Sequence, residues 1–171
     1  MKRILTIAAF LMFFFQANAQ NTAFIKTDSI LAAYPDYAAA QKAISAKADA
    51  YRAVLEADLK VIDELYNTYQ SQKQYLNSSA KASREQQIIT LENALKDKQN
   101  KYFGDNGIME KTSAATLTPI KDKVNAAIKS FAVAHGYSMV VDISISSNIV
   151  YYDEKYDITD KIIEMLNKTQ L

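Results

Sequence analysis

Residues 44–76 read ISAKADAYRAVLEADLKVIDELYNTYQSQKQYL and contain neither glycine nor proline. Apolar side chains recur along this stretch in steps of four and three, a mean period of about 3.5 residues that is typical of a coiled coil. The positions of this seam are Ile44, Ala48, Tyr51, Leu55, Asp58, Ile62, Leu65, Tyr69, Gln72 and Leu76. Because so long an apolar stripe must be covered, the pattern predicts a partner helix.

The next part of the chain supplies that partner. Small and polar residues at 77–83 predict the tip of a helical hairpin. The four-and-three steps then resume at Ile88, Leu91, Leu95, Lys98, Tyr102, Met109, Thr116, Ile120, Val124, Ile128 and Phe131. Since Pro35 suits the first turn of a helix, the sequence predicts an antiparallel coiled-coil hairpin arm over 35–131.

Three residues interrupt the second half of this arm and are its predicted flex points. Gly104 and Gly107 each cost a helix about 1 kcal/mol relative to alanine, so together they predict a kink near residues 104–107. Pro119 should bend the helix locally. The alternative is that the proline divides the arm into two helices.

Both ends of the chain predict strands. Short β-branched and aromatic runs at 22–27, 137–143 and 148–152 predict three strands, and Asp157 begins a capping pattern for a last short helix. The predicted fold is α+β and mostly helical, with a small β body formed by 20–34 and 132–171. A core this thin seldom supports itself below about 70 residues, so we expect several copies to share one body. The predicted oligomerisation residues are Phe24, Ile25, Val140, Val141, Ile143, Ile149, Val150 and Tyr151.

Residues 1–19 are predicted to be a cleavable signal peptide. Lys2 and Arg3 precede an apolar run over 4–15, and Ala17-Asn18-Ala19 provides a small-x-small cleavage site. The run is too short for a membrane span, which needs about 20 residues. An uncleaved membrane anchor is the alternative interpretation.

Charge and composition narrow the classes of function. Loss of Lys2 and Arg3 leaves 18 basic and 19 acidic residues, and this near balance argues against nucleic acid as a partner. The chain has no cysteine, which excludes disulfides and thiolate metal sites. His135, the single histidine, lies beside the cap residue Gly136, where we expect it to contact the last helix carbonyls. No nucleophile motif is present, so we predict no enzyme and no cofactor.

Three stretches of the chain together resemble one known family. They are 24–31 (FIKTDSIL) with 34–37 (YPDY), 117–124 (LTPIKDKV) with 136–142, and 156–163 (YDITDKII). In this order, around a helical hairpin, they are similar to the Skp/OmpH periplasmic chaperones.

The resemblance implies a homotrimer with a β body and three helical arms that enclose a cavity. It also implies an ATP-independent holding chaperone that binds unfolded outer-membrane proteins in the periplasm and prevents their aggregation. The best-known members are strongly basic, whereas this chain is near neutral after signal removal. That departure argues against strong electrostatic client capture and limits membrane contact to a peripheral one.

A holding protein needs many weak apolar contacts, and tyrosine rings provide apolar area that tolerates water. The predicted client-binding residues are Tyr51, Leu55, Tyr66, Tyr69, Tyr75 and Tyr102. For Tyr51 and Tyr69, which lie on the seam, filling the hairpin is the preferred interpretation. The alternative function is a structural or adaptor protein of the cell envelope that docks one folded partner.

Overall fold

The structure is a computed structural model that describes residues 21–145 and 148–168. The predicted signal peptide lies outside the described residues. Within them, no helix is both long enough and apolar enough to cross a membrane.

The described chain is mostly helical. Strand β1 (Thr22–Ile25) is followed by a short helix α1 (Thr27–Ala32) and the long helix α2 (Pro35–Gln72). A 3₁₀ turn (Lys73–Tyr75) leads to α3 (Ser78–Phe103) and α4 (Ile108–Ala134). Strand β2 (Met139–Asp142), a second 3₁₀ turn (Glu154–Tyr156) and α5 (Thr159–Lys168) complete the order. These elements form two compact units, a hairpin unit over 35–122 and a body unit formed by 21–34 and 123–168.

The hairpin unit confirms the predicted seam. Helix α2 has 38 residues, a length of about 57 Å at the usual helical rise. Its buried cluster joins Ile62 and Tyr69 of α2 to Ile88 of α3. Leu65, Leu76, Leu91 and Leu95 pack against this cluster. Two polar seam positions also meet, since the Lys98 ammonium lies 2.6 Å from the Asp58 carboxylate.

The tip of the hairpin lies slightly earlier than the predicted 77–83. The connection occupies 73–77, and α3 already begins at Ser78. Asn77 is the cap, because its side-chain oxygen accepts a hydrogen bond of 2.8 Å from the Ala80 amide. That bond satisfies one of the free amides at the helix start, so the small polar residues after it can be helical.

The two glycines break the second helix rather than bend it. Helix α3 ends at Phe103, and 104–107 form a turn before α4 begins at Ile108. Asn106 adopts a left-handed conformation with φ of 57°. A Cβ on Gly104 would lie 2.6 Å from the Asn100 carbonyl oxygen, and one on Gly107 would lie 2.6 Å from that of Gly104. The turn therefore requires glycine at both positions.

Pro119 does not divide the helix, so the alternative of a break there is wrong. It lies inside the uninterrupted α4. Its side chain is exposed, so the carbonyl that loses its helical partner can bond to water.

The body unit contains a two-stranded parallel sheet. Thr22 is paired with Met139 and Ile25 with Asp142. The other edge of β1 is covered at one point, where the Ile158 amide donates to the Phe24 carbonyl at 2.9 Å. Ile30, Ile158, Ile162 and Val124 are almost completely buried and form the centre of this core.

The third predicted strand is not formed. Residues 148–152 have no strand pairing in the described chain, and Val150 is fully exposed. β-branched and aromatic residues favour a strand only where a neighbouring strand offers hydrogen bonds and side-chain contacts. Among the described residues, no strand forms a ladder with this segment, although Tyr152 contacts Phe24 of β1.

The helix end predicted at His135-Gly136 is confirmed. Gly136 has a φ of 70°, the left-handed conformation that ends many helices. The His135 Nδ1 atom lies 2.9 Å from the Phe131 carbonyl oxygen, and its ring stacks on Phe131 with centroids 3.9 Å apart. This histidine therefore serves the helix end, as expected.

Candidate functional site

The predicted client-binding residues fall into two groups. Tyr69 is only 5% exposed, and half-buried Tyr51 stacks on Tyr102 with ring centroids 4.2 Å apart. Leu55 is also half-buried on the seam. These four side chains mainly hold the hairpin together. Tyr66 and Tyr75, by contrast, are 49% and 81% exposed and present their rings to solvent.

Tyr66 belongs to a groove on one side of the hairpin, which we call the aromatic groove. Its volume is about 330 Å³. The residues that line it are Tyr66, Tyr69, Gln70, Lys73, Glu85, Ile88, Ile89 and Glu92. Ile89 is 47% exposed beside the buried Ile88, so the groove has both an aromatic and an aliphatic wall.

A hydrogen bond joins the two helices across the floor of this groove. The Tyr69 hydroxyl donates to the Glu85 carboxylate. This bond is the main reason that the pKa of Tyr69 is raised to about 12, because removing the proton would place a phenolate beside a carboxylate. The Lys73 ammonium lies 5.4 Å from the centre of the Tyr69 ring, close enough for a cation–π contact.

A second groove lies along the Asp58–Lys98 ion pair and is much smaller, at about 100 Å³. Val61 and Ala94 line it together with seam residues. Val61 is 51% exposed and Val54, seven residues earlier, is 42% exposed. This groove has no aromatic side chain in its lining.

Further apolar side chains are exposed on α2 and α3. Leu59 is 47% exposed and Phe103 is 38% exposed. The Arg52 guanidinium lies 5.7 Å from the centre of the Phe103 ring. The hairpin unit therefore presents separate small apolar contacts along its length, a surface suited to many weak interactions.

Of the residues that line the aromatic groove, the sequence-based prediction named Tyr66 and Tyr69 but not Glu85, Ile89 or Glu92. The spacing carried a usable signal, because Leu59, Tyr66 and Lys73 are seven residues apart beside the seam. On α3, Ile89, Lys96 and Phe103 repeat at the same interval. Residues at such intervals lie on one side of a helix.

Within the body unit, the predicted oligomerisation residues range from buried to fully exposed. Ile25 is 4% exposed and contributes to the core of its own chain. Phe24 contacts Tyr152, with ring centroids 5.1 Å apart, and Val140, Val141 and Ile143 are half-buried. The remaining members, together with further apolar residues, are exposed: Val133, Met139, Ile145, Ile149, Val150 and Tyr151.

No residue cluster in the described chain points to metal chemistry. Within 21–145 and 148–168, no group of three or more His, Cys, Asp or Glu side chains is placed to hold a metal ion. The densest acidic segment, 153–160, is engaged locally. Asp157 accepts a hydrogen bond from the Thr159 amide and pairs with Lys26 at 3.3 Å. The hydrogen bonds and the ion pair more than offset burial and hold the pKa of Asp157 below its ordinary value.

Comparison with known proteins identifies the family. The family model for outer membrane proteins of the OmpH-like type matches residues 21–166. The chain belongs to the OmpH-like family. This OmpH-like chain also shares its fold with an OmpH-like protein from Caulobacter crescentus CB15, whose crystal structure is described as that of a candidate outer membrane chaperone. The TM-score is 0.73 at 15% identity, over 87% of this chain and 85% of the other. No curated protein matches the OmpH-like chain.

Proposed function

We propose that this OmpH-like chain is an ATP-independent holding chaperone that binds unfolded outer-membrane proteins in the periplasm. The observation that carries the proposal is the exposure of separate apolar side chains along the hairpin unit, including Leu59, Tyr66 and Ile89. Each contact is small, so a client segment can bind without being held permanently. Binding lowers the concentration of free unfolded client and thereby slows aggregation, with no need for nucleotide.

The proposal includes assembly into a trimer through the body unit. Val150 and Tyr151 are 100% and 83% exposed, and Ile145 and Met139 of the same unit are also exposed. The edge of β2 that faces away from β1 has no strand partner among the described residues. Apolar exposure and an open strand edge are both features that association with another copy would cover. Several hairpin units in one assembly would also bind a client with greater avidity than one.

Residues 1–19 are proposed to be removed during export. Mass spectrometry of protein recovered from the periplasm should then show a mature chain that begins at Gln20. A retained residue 1 would contradict export through a cleaved signal.

The proposed function is tested by light scattering. Several unrelated outer-membrane β-barrel proteins, unfolded in urea, are diluted into buffer with and without the purified protein, in the absence of nucleotide. We expect near-equimolar protein to suppress aggregation of every one. Loss of suppression for all of them would contradict the proposal, and stable binding to a single folded envelope protein instead would establish an adaptor.

A further inference from the structure

The aromatic groove offers a side chain of a bound polypeptide more space than the groove beside the Asp58–Lys98 pair. Binding pockets for small ligands usually enclose about 300–1,000 Å³. The aromatic groove has about 330 Å³, and the other groove has about 100 Å³. The walls of the aromatic groove, Tyr66 and Ile89, are each about half exposed. Aromatic and aliphatic walls of this kind commonly anchor a partner's apolar side chain.

The charges around the aromatic groove are unbalanced. Two carboxylates, Glu85 and Glu92, and one ammonium, Lys73, line it. The Lys73 ammonium is already placed near the Tyr69 ring. Within 21–145 and 148–168, no ion pair is formed by Glu85 or Glu92. The groove is therefore complementary to a positive charge.

The spacing on α3 matches that of an extended chain. Ile89 lies between Glu85 and Glu92, about 6 Å along the helix axis from the first and about 4.5 Å from the second. In an extended peptide, side chains on the same side are two residues and about 7 Å apart. An apolar side chain over Ile89 would thus place a neighbour two residues away within reach of one of the carboxylates.

We infer that the aromatic groove binds unfolded client segments in which an aromatic or aliphatic residue has a lysine or arginine two residues away. The apolar side chain packs between Tyr66 and Ile89, and the cation pairs with Glu85 or Glu92. This inference rests on the proposed chaperone function and assigns a client chemistry to it. The contrast is with acidic client segments, which the two carboxylates repel.

The first test compares short labelled peptides that differ only in charge. One has a central phenylalanine with lysine two residues away on each side, and the other has glutamate there. Fluorescence anisotropy with the full chain at low ionic strength should show the lysine peptide binding about two- to tenfold more tightly, since exposed ion pairs are individually weak and are screened by salt. Equal affinities would overturn the inference.

Variants assign that preference to the groove. The double variant Glu85→Gln/Glu92→Gln should bind the two peptides equally, and the amide oxygen that it introduces at position 85 can still accept the Tyr69 hydrogen bond. Glu64→Gln removes an exposed carboxylate of α2 outside the groove lining and should leave the preference unchanged. A preference that survives the double variant, or that Glu64→Gln abolishes, would contradict the assignment.

Photo-crosslinking tests directly where the peptide binds. It also separates the inference about the aromatic groove from the proposed chaperone function. Gln70→p-benzoylphenylalanine, in the groove lining, should crosslink the lysine peptide, whereas Thr68→p-benzoylphenylalanine, exposed outside that lining, should not. If client aggregation is suppressed but both positions crosslink equally, the aromatic groove is not the client-binding site and the chaperone function still stands. No suppression and no peptide binding would overturn the chaperone function as well. Crosslinks from position 70 to a second copy of the chain would overturn the groove as a client site, because another subunit would occupy it.

Discussion

At the residue scale, Tyr69 combines an apolar role in the seam with a polar role between the two helices. Its ring is buried in the seam with Ile62 and Ile88, and its hydroxyl reaches the Glu85 carboxylate. Tyrosine suits such a position because one end is apolar and the other is polar. Phenylalanine would fill the seam equally well but would leave Glu85 without this donor.

The raised pKa of Tyr69 gives a testable pH dependence. Its value of about 12 in the folded chain exceeds the ordinary value of about 10 expected in the unfolded chain. The hydroxyl's contribution to stability is therefore complete below pH 10 and is lost as the pH rises towards 12. We expect the urea midpoints of wild type and Tyr69→Phe to differ at pH 9 and to converge by pH 12.

Tyr75→Phe is the matched control, because Tyr75 is 81% exposed. Its difference from wild type should stay small and constant over the same pH range. A difference between wild type and Tyr69→Phe that does not change with pH would show that the hydrogen bond to Glu85 does not contribute to stability.

At the scale of elements, the break between α3 and α4 is an ordered, hydrogen-bonded turn that requires particular residues. The Gly107 amide donates to the Gly104 carbonyl at 2.8 Å, and the Asn106 amide donates to the Glu110 carboxylate at 2.7 Å. The second bond satisfies the Asn106 amide, which lies just before α4, with a carboxylate from the first turn of that helix. Asn106 is a suitable residue for this turn, because asparagine tolerates the left-handed conformation better than most residues.

Substitution of Gly107 by alanine should therefore be costly. The added Cβ would lie 2.6 Å from the Gly104 carbonyl oxygen, so the turn must move. We expect a loss of more than about 1 kcal/mol in the free energy of unfolding, measured in urea. Asn106→Gly, which keeps the left-handed conformation, should change stability by less than about 0.5 kcal/mol. An equally stable Gly107→Ala variant would indicate that α3 and α4 can join into one helix.

Most elements could be predicted from the sequence because their signals are local. The seam over 44–76 follows from side-chain spacing alone, and the end of α4 follows from Gly136. The break at 104–107 was harder, since a glycine pair fits a kink as well as a turn, and the Asn106 conformation decides between them. The strand expected at 148–152 failed for a different reason: strand formation depends on a neighbour, which local sequence does not specify.

The candidate site was only half predictable for the same reason. Exposed tyrosines could be chosen because the seam identifies which positions are buried. The carboxylates of the aromatic groove could not, because their position relative to Tyr66 depends on how α3 is aligned against α2. That alignment depends on contacts far apart in sequence, such as the buried packing of Ile62 and Tyr69 against Ile88.

At the scale of the whole molecule, the exposed apolar side chains of the body unit predict assembly with other copies of the chain. Val150→Glu places a charge on a fully exposed valine of the body unit. We expect wild type to sediment as a trimer and the variant to dissociate at micromolar concentration, because a buried unpaired charge is strongly unfavourable. Val61→Glu, on the hairpin unit, should leave the sedimentation coefficient unchanged. A monomeric wild type, or a Val150→Glu variant that remains trimeric, would contradict assembly through this segment.

The parallel pairing of β1 with β2 also determines when the body unit can form. Ile25 and Asp142 are partners in the sheet, yet residues 26–141, about two thirds of the chain, separate them. Closing so long a loop is slow, whereas the contacts within the hairpin join neighbouring helices and form early. A polypeptide that emerges N-terminus first must therefore keep β1 unpaired until synthesis is nearly finished. The hairpin helices can consequently form before the body unit, and before any assembly that depends on that unit.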